Sequence, residues 1–206
     1  MIRLKVNWQN KMHNSSAIFD SLYIVSQTSS QYAGISLSEL NFLSYFSCLL
    51  SLYKGNAVSD WGYSFLKGEQ GVPVSAELAE SCNMLVETDE LKVDGVCYGI
   101  TPTGKSRLQF FQTMDFMRPR AECLQAACDC LLMDSIVGII SLISRDSVIK
   151  ESCLHPLKRL NSDENSSLQI LYKQFEVVKN AIGFRRNLFV PATSWLLYLR
   201  QKQGKA

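Results

Sequence analysis

The stretch Ser75 to Lys105, SAELAESCNMLVETDELKVDGVCYGITPTGK, changes periodicity twice and so decides the fold. Ser75 opens it as a helix cap, because its hydroxyl can accept from a backbone N–H left free in the first turn. Leu78, Cys82 and Leu85 then recur at helical spacing and predict one buried stripe. LKVD and VCYGI come next as short strand candidates around Asp94-Gly95, a dipeptide favoured in tight hairpins. Thr101 to Gly104 reverses the chain into KSRLQFFQTM, which reads as helix again.

Upstream, Ser36 and Glu39 have the spacing of a capping box, in which each side chain satisfies a backbone N–H of the other residue. The run LNFLSYFSCLLSLY after them is apolar around most of its circumference, which predicts an interior helix stopped by Gly55. Ser59 to about Gly68 predicts a short helix, and GEQGVPVS a loop broken at Pro73. Helix, helix, helix, hairpin, helix over about 36–118 is the order of a winged helix. The fold class expected is therefore mainly α, with a winged-helix-like α+β core and a small β-hairpin.

Before this module, residues 1–35 are expected to form an arm. It holds an edge strand over Met1 to Trp8 and a helix over about 15–28, capped by Ser15 or Ser16. After it, residues 119–206 are expected to be all-helical. AECLQAACDCLLMDSIVGIISLIS forms one long helix, and LQILYKQFEVVKNAIG and SWLLYLRQKQ form two more. The apolar run Leu131 to Ile143 is shorter than the ~20 residues of a membrane span, and the N-terminus lacks the apolar core of a signal peptide. Seven scattered cysteines suit reduced thiols, so a cytoplasmic protein is expected, with no membrane contact.

Charge argues against DNA as the target of the helix after Ser75. From Gly68 to Leu91 the acidic residues are Glu69, Glu77, Glu80, Glu87, Asp89 and Glu90, with no Lys or Arg. A helix entering the major groove needs the opposite sign. Glu77, Glu80 and Glu87 are candidates for a partner-binding face, the alternative being a solvated helix face. Lys105 and Arg107 offer a secondary phosphate contact. A second basic candidate is the C-terminal region, where Lys179, Arg185 and Arg186 belong to a set with a net excess of six positive charges between Leu168 and Ala206. Interleaved aromatic residues suit a nucleic-acid backbone or an acidic protein surface, while basic residues at helix ends also complement the helix dipole.

No catalytic constellation is legible. The two histidines are His13 and His155, and Cys153 beside His155 is too local a pair to set a nucleophile against a base. Cys128 and Cys130 fall on different helix faces, and no metal or nucleotide motif is present, so no cofactor is expected. Charged residues make up 19% of the chain, against roughly 25% in average proteins. That low share suggests surface covered by a partner. Phe110, Phe111, Phe116, Phe189 and Trp195 are expected to include contact residues, because aromatic side chains are enriched at interfaces.

The segment from Val74-Ser75 through Leu85-Val86 to Tyr98-Gly-Ile-Thr-Pro-Thr-Gly-Lys105 resembles the ending of many winged-helix regulators and accessory proteins. The chain as a whole resembles the small middle component of bacterial ABC-ATPase three-component defence systems, including the Lamassu type. That resemblance implies a non-enzymatic scaffold or kleisin-like subunit. It would bridge a large SMC- or Rad50-like ATPase and an effector, often a nuclease, in antiphage or antiplasmid immunity, with DNA contact indirect. A winged-helix transcription regulator or antitoxin, dimeric through the C-terminal helices, is the second reading.

Overall fold

The computed structural model describes residues 14–29, 31–68, 72–144, 149, 159–162, 166–183 and 187–203. The chain is mainly helical, with a small three-stranded antiparallel sheet. The edge strand expected over Met1 to Trp8 lies outside the described residues.

Helix α1 (Ser15–Thr28) is capped by Asn14, whose Oδ1 accepts from the N–H groups of Ser16 and Ala17 at 3.0 and 3.1 Å. This corrects the expected serine cap. Asn14 is held from the other side by its own amide, which donates to the Gly62 carbonyl. The helix is buried without interruption from Ala17 to Val25. The reason is tertiary, since α1 is packed against helices on several sides.

Strand β1 (Ile35–Ser36) leads directly into α2 (Leu37–Tyr53) through the Ser36–Glu39 capping box. Every residue of α2 from Leu40 to Tyr53 is buried, as an all-round apolar helix requires. Gly55, at φ +85°, lies just past its end in the left-handed region that L side chains avoid. The short helix expected after it is a single 3-10 turn, Val58–Trp61. Beyond that turn, β2 (Leu66–Lys67), at the end of the expected short helix, pairs with β3 (Pro73–Val74), in the expected loop. Two-residue strands have too few alternating positions to register as a pattern.

Helix α3 (Ala76–Glu87) begins at Ser75, whose backbone N–H is held by the buried Asn41 of α2 at 2.7 Å. The hairpin is β4 (Leu91–Asp94) and β5 (Cys97–Ile100), and β5 also pairs with β1, giving the sheet order β1-β5-β4. Helix α4 (Pro102–Gln112) is capped by Thr101, one residue before the proline. The Thr101 hydroxyl accepts from Gly104 N–H at 3.1 Å and donates to the Asp89 carbonyl at 2.7 Å, so one side chain ties α4 to the end of α3.

The long helix expected from Ala121 to Ser144 is two helices, α5 (Arg118–Asp129) and α6 (Ile136–Ile143), joined by a 3-10 turn at Cys130–Leu132 and bent by 115°. Ser135 restarts the helix by accepting from Gly138 N–H, so the polar Asp134-Ser135 pair acts as a new N-terminus inside an apolar run. Helices α7 (Ser166–Ile182) and α8 (Phe189–Gln203) complete the order. Trp195 of α8 is fully buried between Phe46 and Phe175, with ring centroids at 5.8 and 5.2 Å, and its indole N–H donates to Gln174. Helices α1, α5 and α8 join α2 in one continuous apolar core. No single described helix is long and apolar enough to cross a membrane.

Candidate functional site

Helix α3 buries Leu78, Ser81, Cys82 and Leu85 and turns Glu80, Asn83 and Glu87 outward. Glu77 is half-buried, and its carboxylate accepts from the Ser75 hydroxyl at 2.9 Å and from Ser64 N–H at 3.4 Å. It therefore braces the start of α3 as much as it faces outward. Glu90 is buried at the base of the hairpin and takes both of its contacts from one Arg107 nitrogen, at 2.6 and 2.8 Å. Arg107 also lies 5.7 Å from the ring centroid of Phe111. A guanidinium committed to a buried carboxylate is a weak phosphate ligand. Lys105 is exposed on the same helix.

The hairpin beside α3 exposes Lys92, Val93, Asp94 and Val96. Taken with Glu80 and Glu87, this surface is acidic with apolar tips, the reverse of a phosphate-binding face. On α4 and the 3-10 turn at Asp115–Met117, Phe110 and Phe116 are 62% and 71% exposed. Phe111 points the other way, into the core, with its ring centroid 5.9 Å from that of Phe19. Trp195 is also in the core and Phe189 is half-buried, so two of the five aromatic residues expected at a contact present their rings to the interior instead. Lys179 is half-buried on α7, while Arg185, Arg186, His13, Cys153 and His155 lie outside the described residues.

Sequence reasoning missed a buried polar cluster. Asp20 of α1 is wholly buried and bound by Arg120 of α5, with Nε 2.5 Å from Oδ1 and Nη2 2.6 Å from Oδ2. The Tyr63 hydroxyl donates to Asp20 Oδ2 at 2.5 Å, and Ser44 of α2 meets both groups. Arg120 further donates to the Trp61 carbonyl at 2.6 Å and stacks 3.9 Å from the Trp61 ring centroid. Burial raises the Tyr63 pKa well above its ordinary value, reinforced by the Asp20 charge and partly offset by Arg120. Burial by itself would lower the Arg120 pKa, but the Asp20 carboxylate more than reverses this and holds the guanidinium charged. The one signal in the sequence was an aspartate inside an apolar helix, and nothing local names a partner 100 positions away.

A cleft of about 320 Å³ adjoins this cluster, lined in part by Ser51, Asn56, Asp60, Trp61, Phe116 and Arg120. The only cation among these six is already neutralised by Asp20. Burial pushes the Cys82 thiol up to about 11 and the Cys123 and Cys130 thiols up to about 12, so none of these three is a ready nucleophile at neutral pH. Among the described residues, no group of three His, Cys, Asp or Glu side chains could hold a metal ion. Compared with family models, curated proteins and solved structures, the chain matches none.

Proposed function

We propose that the chain is a non-enzymatic, protein-binding subunit built on a winged-helix-like module, with its interaction surface on α3, the β4–β5 hairpin and the exposed aromatic residues of the α4 end. The observation that carries this reading is the outward face of α3, which presents Glu80 and Glu87 and no base. The order α1-β1-α2-β2-β3-α3-β4-β5, with β5 between β1 and β4, supports this reading, with α1 taking the place of the helix expected over Ser59 to Gly68 and α3 as the third helix. In a DNA-binding version that helix and hairpin would meet phosphate. Here the acidic face and Val93 and Val96 favour a protein surface carrying basic and apolar groups.

Phe110 and Phe116 extend the same reading, since exposed aromatic side chains are typical anchors of protein contacts. The resemblance to the middle component of Lamassu-type systems makes an SMC-like ATPase and its effector the first partners to test. Affinity purification of the tagged chain from its host, followed by mass spectrometry and light scattering, is the experiment. A defined complex with an ATPase and an effector is expected. A chain recovered without partners that binds its own promoter with strong salt dependence would establish the regulator reading instead.

A further inference from the structure

Among the described residues, strand β4 forms an open edge of the three-stranded sheet, and its outer face carries alternating unlike charges. The β4–β5 hairpin closes through a two-residue loop, Gly95-Val96, with Gly95 at φ +61° and Asp94 opposite Cys97. A two-residue loop makes its flanking pair a hydrogen-bonded one, and antiparallel pairs alternate from there. Val93, opposite Tyr98, is therefore a non-hydrogen-bonded residue of the hairpin, and its own N–H and C=O point away from β5 toward the open edge.

The side chains around this free peptide group are exposed. Val93 is 51% exposed and Val96 79%. Lys92 and Asp94 are exposed on either side of Val93, and neither forms an ion pair among the described residues. A short charged edge resists pairing with a foreign strand. The sequence Lys92-Val93-Asp94 leaves one exception, because it is complementary to itself when run antiparallel.

The geometry points to homodimerisation of this chain by antiparallel β4–β4 pairing about a two-fold axis through Val93. In that register Val93 exchanges both backbone hydrogen bonds with Val93 of a second copy. Lys92 of each copy falls opposite Asp94 of the other, giving two ion pairs of the kind that stabilise cross-strand neighbours. The isologous contact closes on itself, so association stops at two chains. Moving the register by two residues breaks the pairing of unlike charges, which makes the contact specific despite its small size.

Light scattering on the full chain across a concentration series, at low and high salt, tests this. The wild type is expected to move from monomer to dimer with rising concentration, and less so at high salt. Lys92→Asp or Asp94→Lys places like charges opposite one another at both sites and weakens the dimer about tenfold or more. An equimolar mixture of the two variants restores unlike pairs and returns the dimer mass. Val93→Pro removes the outward N–H without touching the β5 ladder and abolishes the dimer, with circular dichroism confirming that the fold is kept. A wild type monomeric up to its solubility limit, or a dimer indifferent to both charge variants, overturns the assignment.

Discussion

Arg120 grips Asp20 through two parallel hydrogen bonds of 2.5 and 2.6 Å, joining helices that begin 103 residues apart in the chain, at Ser15 and Arg118. Asp20 is wholly buried, so removing one partner strands a charge out of water, at a cost of about 3–5 kcal/mol. Asp20→Asn and Arg120→Met are each expected to lower the unfolding free energy by that amount in urea titrations. The double variant should lose less than the sum, because no charge is then left unpaired. Single variants that unfold like the wild type would show the pair to be dispensable.

Two glycines of the hairpin region should respond differently to alanine. A Cβ on Gly104 would lie 2.1 Å from the Glu90 carbonyl oxygen, a backbone atom that cannot yield without moving α4 away from the end of α3. Gly104→Ala is expected to cost about 1–3 kcal/mol. A Cβ on Gly99 meets only the methylenes of Lys92, which can swing aside, so Gly99→Ala should change thermal stability little. Thermal melts of the two variants side by side check the contrast.

Stability should fall on the alkaline side. The ordinary thiol value is 9.0, and burial pushes Cys82 to about 11 and Cys123 and Cys130 to about 12. The folded state thus holds these protons more tightly than the unfolded chain does. Their contribution is complete below pH 9.0 and is lost as pH rises from there through about 12, with Tyr63 acting in the same direction. Urea midpoints measured across that range should decline steadily.

The same burial predicts a pattern of modification. Iodoacetamide on the native protein should label half-buried Cys97 ahead of Cys48, Cys82, Cys123, Cys128 and Cys130, all of which are buried. Peptide mass mapping reads the order. Early labelling of Cys123 or Cys128 would mean that α5 opens readily.

Charge reversal on α3 separates the proposed partner surface from the fold. Glu80→Lys with Glu87→Lys changes two exposed residues and should shift the melting temperature little. The same pair should abolish co-purification of the partner complex if α3 is the docking face. Retention of the full complex would move the interface elsewhere, with Phe110→Ala and Phe116→Ala as the next variants to measure.

The elements legible in the sequence are those whose cause is local. The Ser36–Glu39 box, the Ser75 cap, the Leu78-Cys82-Leu85 stripe and the hairpin about Gly95 each depend on residues within a few positions of one another, and periodicity reports them directly. The sign of the α3 face was equally plain, since solvent-facing charge is a property of composition. Apolar runs were harder. The stretch from Leu131 to Ile143 gave no sign of its 115° bend, because both halves are apolar and only the Asp134-Ser135 pair marks the restart.

The tertiary structure alone decided which buried face meets which. A helical stripe states that a side chain leaves water, not what it packs against, so Trp195 and Phe111 read as surface anchors until α8 and α4 are docked on the core. The partner of Asp20, the pairing of β1 with β5 and the open edge of β4 depend on chain segments brought together from far apart. Long-range pairing is chosen by the burial of the whole core at once, and no window of sequence contains that sum.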